Sequence, residues 1–187
     1  MQKLVAFDNV SLDGYFTDAK GDMSWAHQQD PEWTAFAAEN AKSDGGTLLF
    51  GRKTYQMMER YWPSPQARQN APDVAEGMNG MKKVVFSRTL DDVSWQNTRL
   101  MKGDLADEVR KLKKEPGDQI VILGSGTIVS QLTQEGLIDE YQIIVHPIVL
   151  GEGRTLFEGV EDKRPLKLTR TRSFKNGNVL MCYAAGR

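Results

Sequence analysis

The chain has 187 residues, with 24 Lys and Arg against 25 Asp and Glu, a net charge of -1 and no block of like charge, so nothing recommends a nucleic-acid surface or an anionic membrane. The length suits one domain, 1–187, with a real core, and no apolar run approaches the ~20 residues of a membrane span. One cysteine, Cys182, excludes an internal disulfide, and Met1 leads into a strand-like segment without a signal pattern; both fit a cytoplasmic protein.

In chain order, Lys3–Phe7 reads as a central strand and Asp13-Gly14 as the turn after it. From Phe16 to Gln29 no period holds, yet the segment carries Phe16, Met23 and Trp25 just after Tyr15, the apolar load of a lid or binding loop. Asp30-Pro31-Glu32 opens a helix, with Asp at the N-cap, Pro at the first position and an acid in the first turn. Trp33, Phe36, Ala37 and Asn40 share its inner face, and it is expected to fray into Ser43-Asp44-Gly45-Gly46. Thr47–Phe50 is a short buried strand, and the helix after it, with Tyr55, Met58 and Tyr61 or Trp62 on one side, stops at Pro63 and Pro65. Gln66 to Gly80 is read as polar surface loop or a short turn of helix.

Lys83–Phe86 is the next strand, and Asn97–Lys102 could be another. Gly103-Asp104 caps a helix with Leu105, Val109 and Leu112 inward. Ile120–Leu123, aliphatic without polar alternation, suits a strand covered on both faces; it breaks at Gly124-Ser125-Gly126, and a helical pattern follows at once. Tyr141–Val145 is a strand interrupted by His146-Pro147, and the proline implies an edge or a bulge. Leu166–Phe174 and Val179–Ala184 flank Lys175-Asn176-Gly177-Asn178, a hairpin signal. Alternating β and α followed by consecutive strands indicates an α/β fold: a mixed, mostly parallel sheet with helices on both faces and an antiparallel end.

Three strand exits carry phosphate-compatible chemistry: Gly51-Arg52-Lys53-Thr54, Ser87-Arg88-Thr89 and Gly124-Ser125-Gly126-Thr127. Each combines free N–H groups at a helix start, hydroxyls or a guanidinium, and ligands of open α/β sheets lie at the carboxyl ends of strands. Any one alone is most simply a tight turn; three together point to a ligand with several phosphates, such as a dinucleotide. No Gly-x-Gly-x-x-Gly follows the first strand, so the dinucleotide fold would not be the Rossmann one. His27 reads as an exposed polar residue, His146 has no Cys or carboxylate spacing around it that would make a metal site, and Cys182 sits in an apolar run that would bury it.

Leu49-Phe50-Gly51-Arg52-Lys53-Thr54-Tyr55 resembles the Gly-Arg-x-Thr-aromatic signature of dihydrofolate reductases. Val84–Arg88 looks like their next strand exit, Gly124-Ser125-Gly126 like their glycine turn, and Gly21–Trp25 like their mobile loop. Ser11-Leu12-Asp13-Gly14, Leu137–Glu140 and Pro147–Phe157 resemble the C-terminal reductase domain of the bifunctional riboflavin-biosynthesis deaminase-reductase. The resemblance covers essentially the whole chain.

It implies a dihydrofolate-reductase-like sheet with NADPH across it, acting on a small pterin- or pyrimidine-like heterocycle. By position, Gly51, Arg52, Lys53 and Thr54 would hold cofactor phosphates, Ser87 and Arg88 the 2′-phosphate, and Gly124, Ser125, Gly126 and Thr127 the pyrophosphate. Ala6 and Trp25 would border the nicotinamide, with Phe7, Asp13, Tyr15 and Glu32 on the substrate side. The catalytic acid falls on Asp30, with Glu32 as the alternative, although Asp30 is also an ordinary N-cap. A homodimer is expected by the same resemblance. The chain departs from the riboflavin-pathway pattern at Met57–Pro63 and is expected to be a stand-alone member without the deaminase domain, so the substrate is left open, as is a non-catalytic NADPH- or flavin-binding role.

Overall fold

The computed structural model describes residues 1–27, 30–41 and 46–186. Its strands are β1 (Lys3–Ser11), β2 (Tyr15–Thr17), β3 (Thr47–Gly51), β4 (Lys82–Phe86), β5 (Thr98–Met101), β6 (Gln119–Leu123), β7 (Glu140–His146), β8 (Arg154–Thr155), β9 (Leu166–Ser173) and β10 (Val179–Ala185). The helices are α1 (Pro31–Ala41), α2 (Arg52–Tyr61), α3 (Pro65–Asn70), α4 (Pro72–Gly80), α5 (Leu105–Leu112) and α6 (Gly126–Gln134). Eight strands form one sheet in the order β5-β4-β3-β6-β1-β7-β10-β9. Pairing is parallel from β5 through β7 and antiparallel from β7 through β9, as the sequence pattern predicts.

Alternate residues of each inner strand face opposite sides, and two cores result. Leu4, Ala6, Leu49, Ile120 and Ile122 pack with Val109 and Leu112 of α5 and Ile128, Val129 and Leu132 of α6. Leu48, Phe50 and Val85 pack on the other face with Ala41 of α1, Tyr55 of α2 and Val74 and Met78 of α4. A sheet covered on both sides explains why its central strands are continuous apolar runs. Cys182 is buried beside Phe36, Ile144 and Leu180.

Three expectations are corrected. The 66–80 segment is helical: Ser64 caps α3 through Ala67 N, Pro65 and Pro72 each start a helix, and Val74, Ala75 and Met78 are buried. Short helices with few apolar residues give little periodicity, and packing supplies the rest. Pro147 marks neither an edge nor a bulge, since β7 lies between β1 and β10 and ends one residue earlier, at His146. The segment from Phe16 is not wholly irregular. β2 pairs with β8 and buries Phe16, and Ser24–Ala26 is a 3₁₀ turn. The predicted fraying at Ser43–Gly45, and Gln28 and Gln29 at the end of the loop, lie outside the described residues. Among the described residues, no helix is long and apolar enough to cross a membrane.

Candidate functional site

The exits of β3, β4, β5 and β6 open into one cleft of about 1050 Å³ at the carboxyl ends of the strands. All ten predicted phosphate contacts line it, namely residues 51–54, 87–88 and 124–127. Three stretches separated by dozens of residues thus reach one place because parallel neighbours end on the same side.

The middle of the cleft is built from small residues in close contact. Ser125 Oγ accepts from Gly51 N at 2.8 Å and lies 3.1 Å from Thr54 Oγ1, joining the exits of β3 and β6. A Cβ on Gly51 would sit 2.6 Å from that hydroxyl, and one on Gly126 would sit 2.6 Å from the ring of Phe16. Gly124 and Ser125 take consecutive left-handed conformations, φ 60° and 68°, which turn the chain sharply into α6. Ile128 N and Val129 N both donate to Ser125 O, and the N–H groups that open the helix have no intrahelical acceptor. Arg52, Lys53 and Arg88 stand exposed around this floor. Helix N-termini, glycine-scale clearance and flanking cations suit a phosphorylated ligand of dinucleotide length.

Sequence reasoning missed other groups on the wall. Lys102 and Gly103 follow β5 in the same way that Ser87 and Arg88 follow β4, and the same exit logic would have found them. Ser87 N donates to Met101 O, which fixes the two exits side by side. Arg154 enters from β8, its guanidinium 5.7 Å from the centre of the Phe16 ring; no local pattern announces it.

The residues expected at the reactive end are more dispersed. Ala6 is fully buried in the core on the α5/α6 side, where β1 is central and covered. Phe7 points to the other face, beside Trp33, Phe36 and Ile144. Trp25 packs edge-on against His146, ring centres 5.4 Å apart, and donates from its indole to Asp22 O. His146 is buried, with Nε2 2.9 Å from Asn9 Oδ1, and burial pushes its pKa down to about 4, leaving the ring neutral. Asn9 and His146 were not assigned to a site from sequence. Their contact depends on register between β1 and β7, which local patterns do not reveal.

Four predicted groups have structural partners. Asp30 Oδ1 accepts from Trp33 N at 2.9 Å, the hydrogen bond of an N-cap. Glu32 accepts from Lys175 N at 3.0 Å and faces Arg172, tying α1 to the β9–β10 turn. Asp13 accepts from Ser11 Oγ, Gly151 N and Leu150 N, and these bonds hold its carboxyl down at about 2. Tyr15 sits in β2 opposite Thr155.

The family model described as the RibD C-terminal domain matches residues 2–180. The uncharacterized protein YyaP of Bacillus subtilis strain 168 is 32% identical over 176 residues, covering 93% of this chain and 90% of its own length. A putative riboflavin biosynthesis protein from Shewanella sp. PV-4 superposes with a TM-score of 0.75 at 24% identity, over 100% of both chains. Dihydrofolate reductase from Enterococcus faecalis, solved with NADP(H) and RAB-propyl, superposes with a TM-score of 0.65 at 16% identity, over 99% of this chain and 97% of its own. At these identities the structures establish the fold.

Proposed function

This chain belongs to the RibD C-terminal domain family, and from that premise we propose that it is an NADPH-dependent reductase of a small pterin- or pyrimidine-like heterocycle. The observation that carries the reading is the convergence of three phosphate-compatible strand exits on one cleft. NADP(H) in the Enterococcus reductase of the same fold supports the choice of dinucleotide.

Arg52, Lys53, Arg88 and Ser87 bind the phosphate groups, and the 124–127 turn receives the pyrophosphate on the N-terminus of α6. NADPH supplies a hydride when bound. The protein orients that end toward β1, and the 15–25 loop, with Met23 at the cleft and Trp25 on His146, excludes water. Asp30, or water if the carboxyl serves only as a cap, delivers the proton. A homodimer through β9, an edge strand with Leu166 and Leu168 exposed, belongs to the same proposal, and light scattering reads it directly.

The test is quenching of tryptophan fluorescence by NADPH with NADH as control, followed by NADPH oxidation with pterin and pyrimidine candidates. NADPH should bind at least tenfold tighter than NADH, and Arg52→Ala with Arg88→Ala should erase most of that preference. No binding of either nucleotide sinks the reading. The engagement of Asp30 as a cap favours a second reading, a binding protein without turnover that holds NADPH or a flavin. Tight binding with no oxidation of any candidate, or a yellow preparation, would point there.

A further inference from the structure

Helices α2 and α6 both start at the cleft, and both start without an anion of their own. Neither has a side-chain cap or an acidic residue in its first turn. α2 even opens on Arg52 and Lys53, two cations at the positive end of its dipole. The hydroxyl of Ser125, the residue before α6, is taken up by Gly51 N. Negative charge placed between the two helix starts would relieve both defects.

Arg154 reaches this place from the other flank of β6. In the sheet β3 lies on one side of β6 and β1 on the other. The chain that leaves β1 forms β2, which pairs with β8 and sets Thr17 opposite Arg154. Between the two strands and α6 lies Phe16. Its ring has one edge against Gly126, the first residue of α6, and its centre 5.7 Å from the Arg154 guanidinium. Arg154 lines the cleft with an exposed side chain. Its ion pair with Glu158 is stretched to 4.0 Å between exposed groups, and such a pair restrains a side chain little.

The backbone beneath it is fixed. Asp13 accepts from Leu150 N and Gly151 N, and Leu156 is buried in the core. Gly153 packs so closely on β2 that a Cβ there would collide with Thr17 O. Arg154 is thus a loosely paired cation on an anchored strap, and engaging a ligand orders only its side chain.

We propose that Arg154 is a cofactor-binding residue whose guanidinium grips the pyrophosphate from the β1 side of α6, across from Arg52 and Lys53 on the β3 side. This rests on the NADPH reading above. The oxygens of a pyrophosphate point in several directions. The N–H groups that open α6 take one edge, and a planar guanidinium takes another as a bidentate pair.

The experiment measures dissociation constants for NADPH, for 2′-phospho-ADP-ribose, which keeps the pyrophosphate without nicotinamide, and for adenosine 2′-monophosphate, which lacks both. Arg154→Met, which keeps an apolar stem on Phe16, should weaken the first two about tenfold and leave the third within about twofold. Arg154→Lys keeps the charge and should bind the first two within about threefold of the wild type. Arg88→Ala, at the 2′-phosphate, should weaken all three. Unchanged affinity of Arg154→Met for 2′-phospho-ADP-ribose overturns the role of Arg154. So does an equal loss of adenosine 2′-monophosphate, or an Arg154→Lys variant as weak as Arg154→Met. A wild type that binds none of the three overturns the NADPH reading and the role of Arg154 with it.

Discussion

The Gly51 amide donates to the Ser125 hydroxyl at 2.8 Å, so the exits of β3 and β6, 74 residues apart in sequence, are one structural unit. Ser125 is simultaneously in contact with Thr54 and held at φ 68°. The floor of the cleft is therefore shaped before any ligand arrives, which limits the ordering entropy that binding must overcome.

The first prediction concerns that serine. Ser125→Ala leaves Gly51 N without its acceptor and keeps a left-handed backbone on a residue with Cβ, and should cost about 1–3 kcal/mol. Ser125→Gly loses the same hydrogen bond but relieves the left-handed strain, so its cost should be smaller. Urea denaturation of the two variants checks the order. A glycine variant less stable than the alanine one would show that strain at residue 125 is negligible.

Asp30 offers a separation of two roles. Asp30→Ala removes the cap of α1 and should cost about 0.5–2 kcal/mol, whereas Asp30→Asn caps equally well and should unfold with the wild type. Turnover of the Asn variant then reads the chemistry alone. A tenfold or greater fall assigns proton delivery to the carboxyl, and unchanged turnover assigns it to water.

A close approach between helices makes the third case. Gly77 of α4 lies under the end of α1, where a Cβ would meet Ala41 O at 2.5 Å. Gly77→Ala gains roughly 1 kcal/mol of helix propensity, but overpacking costs typically 1–3 kcal/mol. The net change should be destabilising, visible as a lowered Tm. A raised Tm would mean that α1 moves aside freely.

Burial of Asp8 has a pH signature. Its carboxyl rises from 3.8 to about 7 on folding, so the folded chain holds a proton that the unfolded chain releases between those values. The stability linked to it is complete below pH ~4 and is lost as pH rises through 7. Asp8→Asn should therefore gain on the wild type between pH 5 and pH 8, by at most about 3 kcal/mol. Denaturation midpoints at the two pH values measure the gap; a constant gap would mean that Asp8 stays ionised when buried.

Much of the architecture is legible in the chain. Ile120–Leu123 announces a strand buried on both faces, Asp104 caps α5 where Gly103-Asp104 predicts it, and the hairpin at Asn176-Gly177 joins β9 to β10. Helices α3 and α4 were hidden because their burial comes from contacts with distant elements rather than from a repeating stripe. At the site, residues 51–54, 87–88 and 124–127 are visible as exits, whereas Asp8, Asn9 and His146 fall just beyond the strands read at Lys3–Phe7 and Tyr141–Val145, and only the structure extends β1 and β7 through them.

What the sequence determined by itself is whatever a few neighbouring residues decide: caps, turns, buried strands and the chemistry at each strand exit. Hydrogen-bonding geometry and apolar periodicity act over that short range. Only the tertiary structure decided which exits share a cleft, that Asp13 and Glu32 have structural hydrogen bonds, and that Asp8 is buried beside the point where β1 leaves β6. Those outcomes depend on strand order and register, set by the packing of two faces at once across separations of tens to more than a hundred residues.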